Sequence, residues 1–247
     1  MAETHTNIYP KLVIKNNEHP SRLLSFPLVG ILIRVILIIP VAIVGIFYTL
    51  WYFVLWLVVP FAILFTGKYP DSIYNFFLGY LKFYVKLSLY LFGLTDKYPG
   101  FGLDDNGLFE LHFEKPKKLS RLFSFPLLGI IIRLVLLIPY LIYESVLQYG
   151  SQWAVVFSWF TVLFKGKYHE SLYEFNRDFL RVALAETLYT SYLTDKYPSY
   201  HISMNHKRIK ILLIVLGSLS LLNSFISSAT SSPSDSYDYP DSMSSSY

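Results

Sequence analysis

The sequence contains no cysteine, so thiol catalysis, disulfide bonds and cysteine-ligated metal sites are excluded. Charge is also scarce: charged residues make up 15% of the 247 residues and hydrophobic residues 53%, an apolar excess over soluble proteins. Between Phe26 and Thr66 the only charged side chain is that of Arg34. Because a membrane-spanning helix needs about 20 apolar residues, this run predicts an integral membrane protein.

Recognisable catalytic patterns are absent as well. The sequence has no G-x-S-x-G, H-E-x-x-H or P-loop motif. His201 and His206 are separated by five residues, which does not place them on one helical face, and no carboxylates cluster with them. We therefore predict a non-enzymatic protein with no catalytic residue, no metal and no cofactor. The small excess of basic residues fits membrane topology and anionic lipid better than nucleic acid.

What the sequence does contain is a duplication. Ser21–Pro40 recurs as Ser120–Pro139 with only aliphatic or aromatic exchanges, and Arg34 and Arg133 occupy the same place in the two copies. The same offset of 99 residues relates Gly67 to Gly166. Each copy carries a membrane-length apolar run, so the repeat predicts two tandem membrane modules.

Each apolar run is about twice the length of one span, which predicts a hairpin of two membrane helices. Polar residues interrupt the second run at Glu144–Gln152, which we interpret as the turn. At the same register, the turn of the first copy falls near Gly45–Trp51. The predicted fold is thus all-α, with a helical hairpin in each of the two modules.

A second helix is predicted after each hairpin, at Asp71–Leu94 and Glu170–Leu193. The latter contains six charged residues, which are costly in lipid, so we predict amphipathic helices lying in the membrane interface. Alternating residues predict short strands outside the bilayer at Ile8–Lys15, Phe109–Glu114 and, less regularly, Tyr200–Asn205. Whether these strands pair is left open by the sequence.

The final apolar run, Ile209–Ile226, is long enough for one more membrane helix. The predicted organisation is a polar N-terminus with a short strand (1–20), membrane repeat 1 (21–101), a linker with a short strand (102–120), membrane repeat 2 (121–200), a basic stretch with the C-terminal membrane helix (201–226) and a disordered serine-rich tail (227–247).

Orientation follows from the basic residues. With both hairpins entering and leaving on one face, all but two of the 21 lysines and arginines lie on that face. The positive-inside rule then predicts a multi-pass protein of the cell membrane whose N-terminus and interfacial helices are cytoplasmic and whose C-terminal tail is outside.

Arg34 and Arg133 are the most suggestive single residues, because a charge within a span is by default a functional-site hypothesis. Both lie near a helix end, so snorkelling or structural pairing is favoured over a substrate role. The repeated Gly-Lys-Tyr and Thr-Asp-Lys-Tyr-Pro elements could bind headgroups, but turn and capping roles are favoured, because every residue in them has an ordinary turn or interface role. The candidate residues for binding lipid or a partner are Arg34, Arg133, Lys68, Lys167, Lys82, Arg181, Lys97 and Lys196.

These elements also carry a family resemblance. The segments Arg34–Pro40, Phe65–Pro70 and Leu94–Phe101 resemble a prokaryotic membrane family catalogued as domain of unknown function 4389. The resemblance extends over both copies, roughly Tyr9–Tyr200, and the second copy departs from it at His169, where proline is expected. It implies a membrane location and supplies no activity.

The function predicted from the sequence is a non-enzymatic membrane scaffold or accessory protein that organises lipid, through anionic headgroups, or a membrane protein partner. The alternative is a small-molecule or lipid transporter built from parallel repeats. Against that alternative, the spans carry almost no polar residues to line a path.

Overall fold

The computed structural model describes residues 10–15, 20–26, 29–113, 115, 119–120, 123–126 and 128–230. Most of the described chain is helical. Its elements in chain order are β1 (Lys11–Ile14), α1 (Val29–Thr66), α2 (Asp71–Leu91), β2 (Phe109–His112), α3 (Leu128–Lys165), α4 (Glu170–Thr190) and α5 (Lys207–Thr230). The two copies therefore share one order: strand, long helix, shorter helix.

The predicted hairpins are wrong, because α1 and α3 are each one continuous helix of 38 residues. At 1.5 Å per residue each is about 57 Å long. The polar stretch Glu144–Gln152, interpreted as a turn, lies within α3, where Ser151 and Gly150 are buried against neighbouring helices. The stretch forms no turn: Ser151 packs on α4, where it donates to Asn176, while Gln148 and Gln152 are exposed on the same helix.

The two copies run in opposite directions. Within each copy the shorter helix folds back along the long one, as Arg34 of α1 bonds Tyr90 near the end of α2. Between copies, Trp56 in the second half of α1 donates to the carbonyl of Thr190 at the end of α4. At the opposite end, the Arg22 guanidinium lies beside Gly166, just after α3. The prediction of parallel repeats is therefore wrong; an approximate two-fold axis inverts one copy relative to the other.

The centre of the fold is the crossing of α2 and α4. Leu81, Val85 and Leu89 of α2 belong to one buried cluster with three leucines of α4, namely Leu180, Leu184 and Leu188. Phe92 at the end of α2 meets Phe179 in the first half of α4, at a ring-centroid distance of 6.0 Å, so the two helices run antiparallel. Two-thirds of the residues of α4 are buried, including Asp178 and Arg181. The structure thus places α4 inside the protein, whereas a surface amphipathic helix was predicted.

Two of the predicted strands form and pair. β1 and β2 make an antiparallel ribbon in which Leu12 faces Leu111 and Ile14 faces Phe109. Leu12 and Phe109 are buried in the same cluster as the α2–α4 crossing, so the ribbon closes that core. The third predicted strand is wrong: 200–205 is irregular, with Ile202 and Met204 buried.

The C-terminal helix α5 crosses α3 at two glycines. A Cβ on Gly150 would lie 2.8 Å from the carbonyl oxygen of Leu213, and one on Gly217 would lie 2.9 Å from the backbone nitrogen of Gly150. Small residues permit this close backbone approach, as is common between membrane helices. α5 extends to Thr230, beyond the predicted limit, and the predicted disorder of 231–247 lies outside the described residues.

Three helices of the described chain are long and apolar enough to cross a membrane: α1, α3 and α5. Their outer faces carry exposed aliphatic and aromatic side chains along much of their length, consistent with a membrane protein. The predicted orientation loses its basis, however. It assumed helical turns at the far face, and the continuous helices instead carry their flanking basic residues to both ends.

Candidate functional site

The guanidinium of Arg34 is held inside the protein by four hydrogen bonds. Nε donates to the carbonyl of Leu24 at 3.3 Å, and Nη1 donates to the carbonyls of Tyr90 at 2.7 Å and Thr95 at 3.0 Å. Nη2 donates to the carboxylate of Asp96. The side chain is only 4% exposed and lies over the ring of Tyr90 at 4.8 Å.

Arg133 repeats this arrangement bond for bond. Its Nε donates to Phe123 at 3.2 Å, and its Nη1 donates to the carbonyls of Tyr189 at 2.6 Å and Thr194 at 2.9 Å. Its Nη2 donates to the carboxylate of Asp195. Each acceptor is 99 residues from its counterpart, and Arg133 is fully buried.

We call each of these two networks an arginine clasp. In each, the second oxygen of the aspartate accepts from a backbone nitrogen before the long helix, that of Ser21 at 2.6 Å or of Ser120 at 2.7 Å. The clasp thus ties together the segment before the long helix, its first turns and the end of the shorter helix. Of the interpretations weighed for Arg34 and Arg133, structural pairing is the one observed; neither snorkels to the surface.

The four lysines of the repeated turn elements are exposed, and the inverted copies group them in pairs. Lys97 follows the clasp of Arg34, and Lys167 follows Gly166, which contacts Arg22 at that same end. Lys196 follows the clasp of Arg133 at the other end. Lys68 also belongs there, because its neighbour Tyr69 donates to the carbonyl of Ser191. The neighbouring glycines, Gly67 and Gly166, have positive φ and close the long helices, as expected for C-caps.

Lys82 and Arg181, the remaining candidates, both tether the chain that follows their helix. Lys82 Nζ lies 3.1 Å from the carboxylate of Asp105, and Arg181 donates to the carbonyl of His201 at 2.9 Å. The structure adds two residues that sequence reasoning missed. Lys86 is fully buried and donates to the carbonyl of Gly102 at 2.7 Å, and Asp178, 1% exposed, accepts from the backbone nitrogen of Ser203 at 2.6 Å.

A cavity of about 210 Å³ lies where α1 to α4 meet, between the two copies. Its polar lining consists of three tyrosines, two glutamates and one threonine, namely Tyr52, Tyr80, Tyr84, Glu144, Glu186 and Thr187; Leu81 and Ala183 complete the wall. The rings of Tyr52 and Tyr80 are stacked, with centroids 4.6 Å apart and an interplanar angle of 26°.

The two copies contribute different groups to this cavity. All three tyrosines come from the first copy, where the second copy has Ser151, Phe179 and Ala183 at the matching positions. Both glutamates come from the second copy, where the first has Gly45 and Leu87. The aromatic and acidic lining of this cavity therefore needs both copies, and neither copy could build it alone.

Neither glutamate of the cavity forms an ion pair with a lysine or arginine in the described part of the chain. Burial raises the pKa of the Glu186 carboxyl, opposed in part by hydrogen bonds from Thr187 and Thr190. Glu144 was seen in the sequence but assigned to a turn. Its helical spacing from Gln148 and Ser151 was the signal that these polar residues share a face. No group of three or more His, Asp or Glu side chains suited to a metal ion occurs among the described residues.

Comparison with known proteins gives a family and nothing beyond it. A family model described as "Domain of unknown function (DUF4389)" matches the chain twice, over residues 29–102 and 128–200, which together exceed half of the chain. The two matches are the two copies, each from its long helix to the loop after its shorter helix. No curated protein and no solved structure matches the chain.

Proposed function

The chain belongs to the DUF4389 family in two tandem copies, and we propose that it is a non-enzymatic scaffold of the cell membrane that organises anionic lipid or a membrane protein partner. The observation that carries this proposal is that each end of the fold has two exposed lysines, Lys97 and Lys167 at one end and Lys68 and Lys196 at the other. In the proposed role, each pair meets the headgroups of one leaflet.

The dimensions support this assignment. A helix of 38 residues is about 57 Å long, and a bilayer with its headgroup regions is about 40–45 Å thick. A pair of lysines near each end of α1 and α3 therefore reaches the headgroup layers while the apolar faces contact lipid tails. Near a membrane surface each such lysine contributes about 1 kcal/mol of attraction to anionic lipid. The arginine clasps hold the loops that carry Lys97 and Lys196.

The test replaces the lysines of one end, then of the other, with glutamine and measures the anionic phospholipid that stays with the detergent-purified protein. We expect Lys97→Gln/Lys167→Gln and Lys68→Gln/Lys196→Gln each to lower the anionic lipid retained at least twofold. The matched control is Lys11→Gln, an exposed lysine of β1. Unchanged retention in both double variants would reject the headgroup role.

A second candidate function, transport of a small solute, is favoured by one observation, the cavity between inverted copies. In many transporters substrates bind near the midplane at the interface of such repeats. The objection that the spans lack polar lining is weakened, because Glu144 and Tyr52 bring polar groups into that interface. Solute flux into sealed vesicles containing the purified protein separates the two candidates: a scaffold retains lipid without catalysing flux.

A further inference from the structure

We propose that the cavity between the copies is a binding site for a small organic cation, a protonated amine, held by the carboxylates of Glu144 and Glu186 against the rings of Tyr52, Tyr80 and Tyr84. The lysine pairs at the ends of the fold are not needed for this site. The proposal can therefore fail or hold independently of the headgroup role.

The first argument is the missing counter-charge. Glu144 lies 16 residues, about 24 Å, from the start of α3, well inside a helix that is apolar enough to span a membrane. An acidic side chain at such depth is costly unless it is paired or neutralised. Two basic side chains of α2 and α4, Lys86 and Arg181, instead donate to the carbonyls of Gly102 and His201.

The second argument is the chemistry of the wall. An ammonium group gains from carboxylates and from the faces of tyrosine rings together, and the stacked rings of Tyr52 and Tyr80 supply such faces. A hard metal cation instead requires six or more oxygen ligands close together. The volume of about 210 Å³ also suits a molecule of several heavy atoms better than a bare ion, because one water occupies about 30 Å³ in the liquid.

The third argument is the division between copies. A duplicated core needs neither glutamate: the first copy folds with Gly45 and Leu87 at these positions. The two glutamates occur only in the second copy, and the three tyrosines that face them occur only in the first. Packing alone does not explain why the two copies differ in this way. A ligand that contacts both copies does explain it.

The experiment measures ligand-induced stabilisation of the full chain in detergent, because a ligand that binds the folded state raises its unfolding temperature. The probes are ethylammonium and 1,4-diaminobutane, with 1-propanol and sodium chloride at matched concentrations as uncharged and inorganic controls. We expect stabilisation by the amines alone. Glu144→Gln and Glu186→Gln should each weaken amine affinity at least tenfold, and Tyr80→Leu should weaken it severalfold.

The matched control for lost negative charge is Glu110→Gln, an exposed acid of β2, which should bind amines as the parent does. Glutamine has nearly the same shape as glutamate, so we expect these variants to fold. Their unfolding temperature without ligand checks this. If one fails to fold, the other and Tyr80→Leu still decide the question. Equal stabilisation by sodium chloride, binding unaffected by both glutamine variants, or stability that responds to pH and to no amine would each overturn the proposal.

Discussion

The two copies share their arginine clasps but differ in where the acid that helps to attach the trailing segment lies. In the first copy the helix supplies the bases: Lys82 and Lys86 of α2 hold the loop that contains Asp105 and Gly102. In the second copy the helix supplies the acid. Asp178 of α4 accepts from the backbone nitrogen and hydroxyl of Ser203, while Arg177 and Arg181 surround it.

Two substitutions accompany this difference. The position of Asp178 is Gly79 in the first copy, where a Cβ would lie 2.8 Å from the side chain of Leu103, and the position of Ser203 is Asp104. The first copy therefore has an acid on the loop, and the second copy has an acid on the helix. The clasp shows no such freedom, because each acceptor of the guanidinium is matched at an offset of 99. The planar guanidinium needs its acceptors in fixed directions, so substitutions around it are restricted. An ion pair that holds a loop needs only two opposite charges close together.

The largest predicted effect is therefore the loss of a clasp. Arg133→Lys cannot reproduce the planar set of four hydrogen bonds, whereas at a snorkelling position lysine would serve as well as arginine. Lysine keeps the charge but leaves buried carbonyl acceptors without a donor, which costs about 1–3 kcal/mol each. We expect Arg133→Lys and Arg34→Lys both to lower the unfolding temperature in detergent, the former more because Arg133 is fully buried.

Arg22→Lys is the matched control, since Arg22 is an arginine near the same end as Arg34 but is more exposed. Its unfolding temperature should stay close to that of the parent. If Arg133→Lys unfolds at the parent temperature, the four-bond clasp does not contribute to stability as described.

The clasps also show what a single sequence can and cannot provide. The offset of 99, the starts of α2 and α4 at Asp71 and Glu170, and the strands β1 and β2 were predictable, because helix punctuation and alternation are local signals. The partnership of Arg34 with Asp96 was not predicted, as 62 residues separate them. The hairpin prediction failed because Glu144–Gln152 is compatible with either a turn or a polar helix face. Inversion of the copies depends on packing between α2 and α4, which local pattern does not encode.

The next effect in size separates the two tethers. Asp178→Asn removes the charge that faces Arg177 and Arg181 in a buried setting, which should cost about 1–3 kcal/mol. The corresponding change in the first copy, Asp105→Asn, alters a pair whose carboxylate is 36% exposed, and exposed pairs contribute about 0–1 kcal/mol. Thermal unfolding of both variants measures the contrast. Equal losses would contradict the view that burial distinguishes the tethers.

Lys86 gives a smaller, pH-dependent effect that the second copy, with Ala185 at this position, should lack. Burial lowers the pKa of the Lys86 ammonium, and Asp104 and Asp105 oppose the shift in part. In the window between the lowered pKa and the ordinary value of 10.5, the unfolded chain binds more protons, so folding becomes more favourable as pH rises. The stability of the parent relative to Lys86→Met should therefore increase from neutral pH towards pH 10.5. Thermal unfolding of both proteins measures the difference in stability. If that difference does not change with pH over this range, the charge on Lys86 does not destabilise the fold.

The smallest predicted difference concerns how each shorter helix meets the β-ribbon. The hydroxyl of Tyr173 in α4 donates to the carbonyl of Ile14 in β1 at 3.1 Å. The equivalent Tyr74 in α2 contacts the ribbon side of the fold through its ring, against Phe113, and its hydroxyl makes no hydrogen bond with the described residues.

Tyr173→Phe should therefore cost about 0.5–1.5 kcal/mol and Tyr74→Phe close to nothing. Hydrogen exchange of the β1 amides is the sensitive measurement, because local opening of a short ribbon occurs at lower free energy than global unfolding. Faster exchange in Tyr173→Phe alone would establish that the ribbon is anchored by the second copy; the same rate in both variants would show that ring packing, common to the two tyrosines, is what holds it.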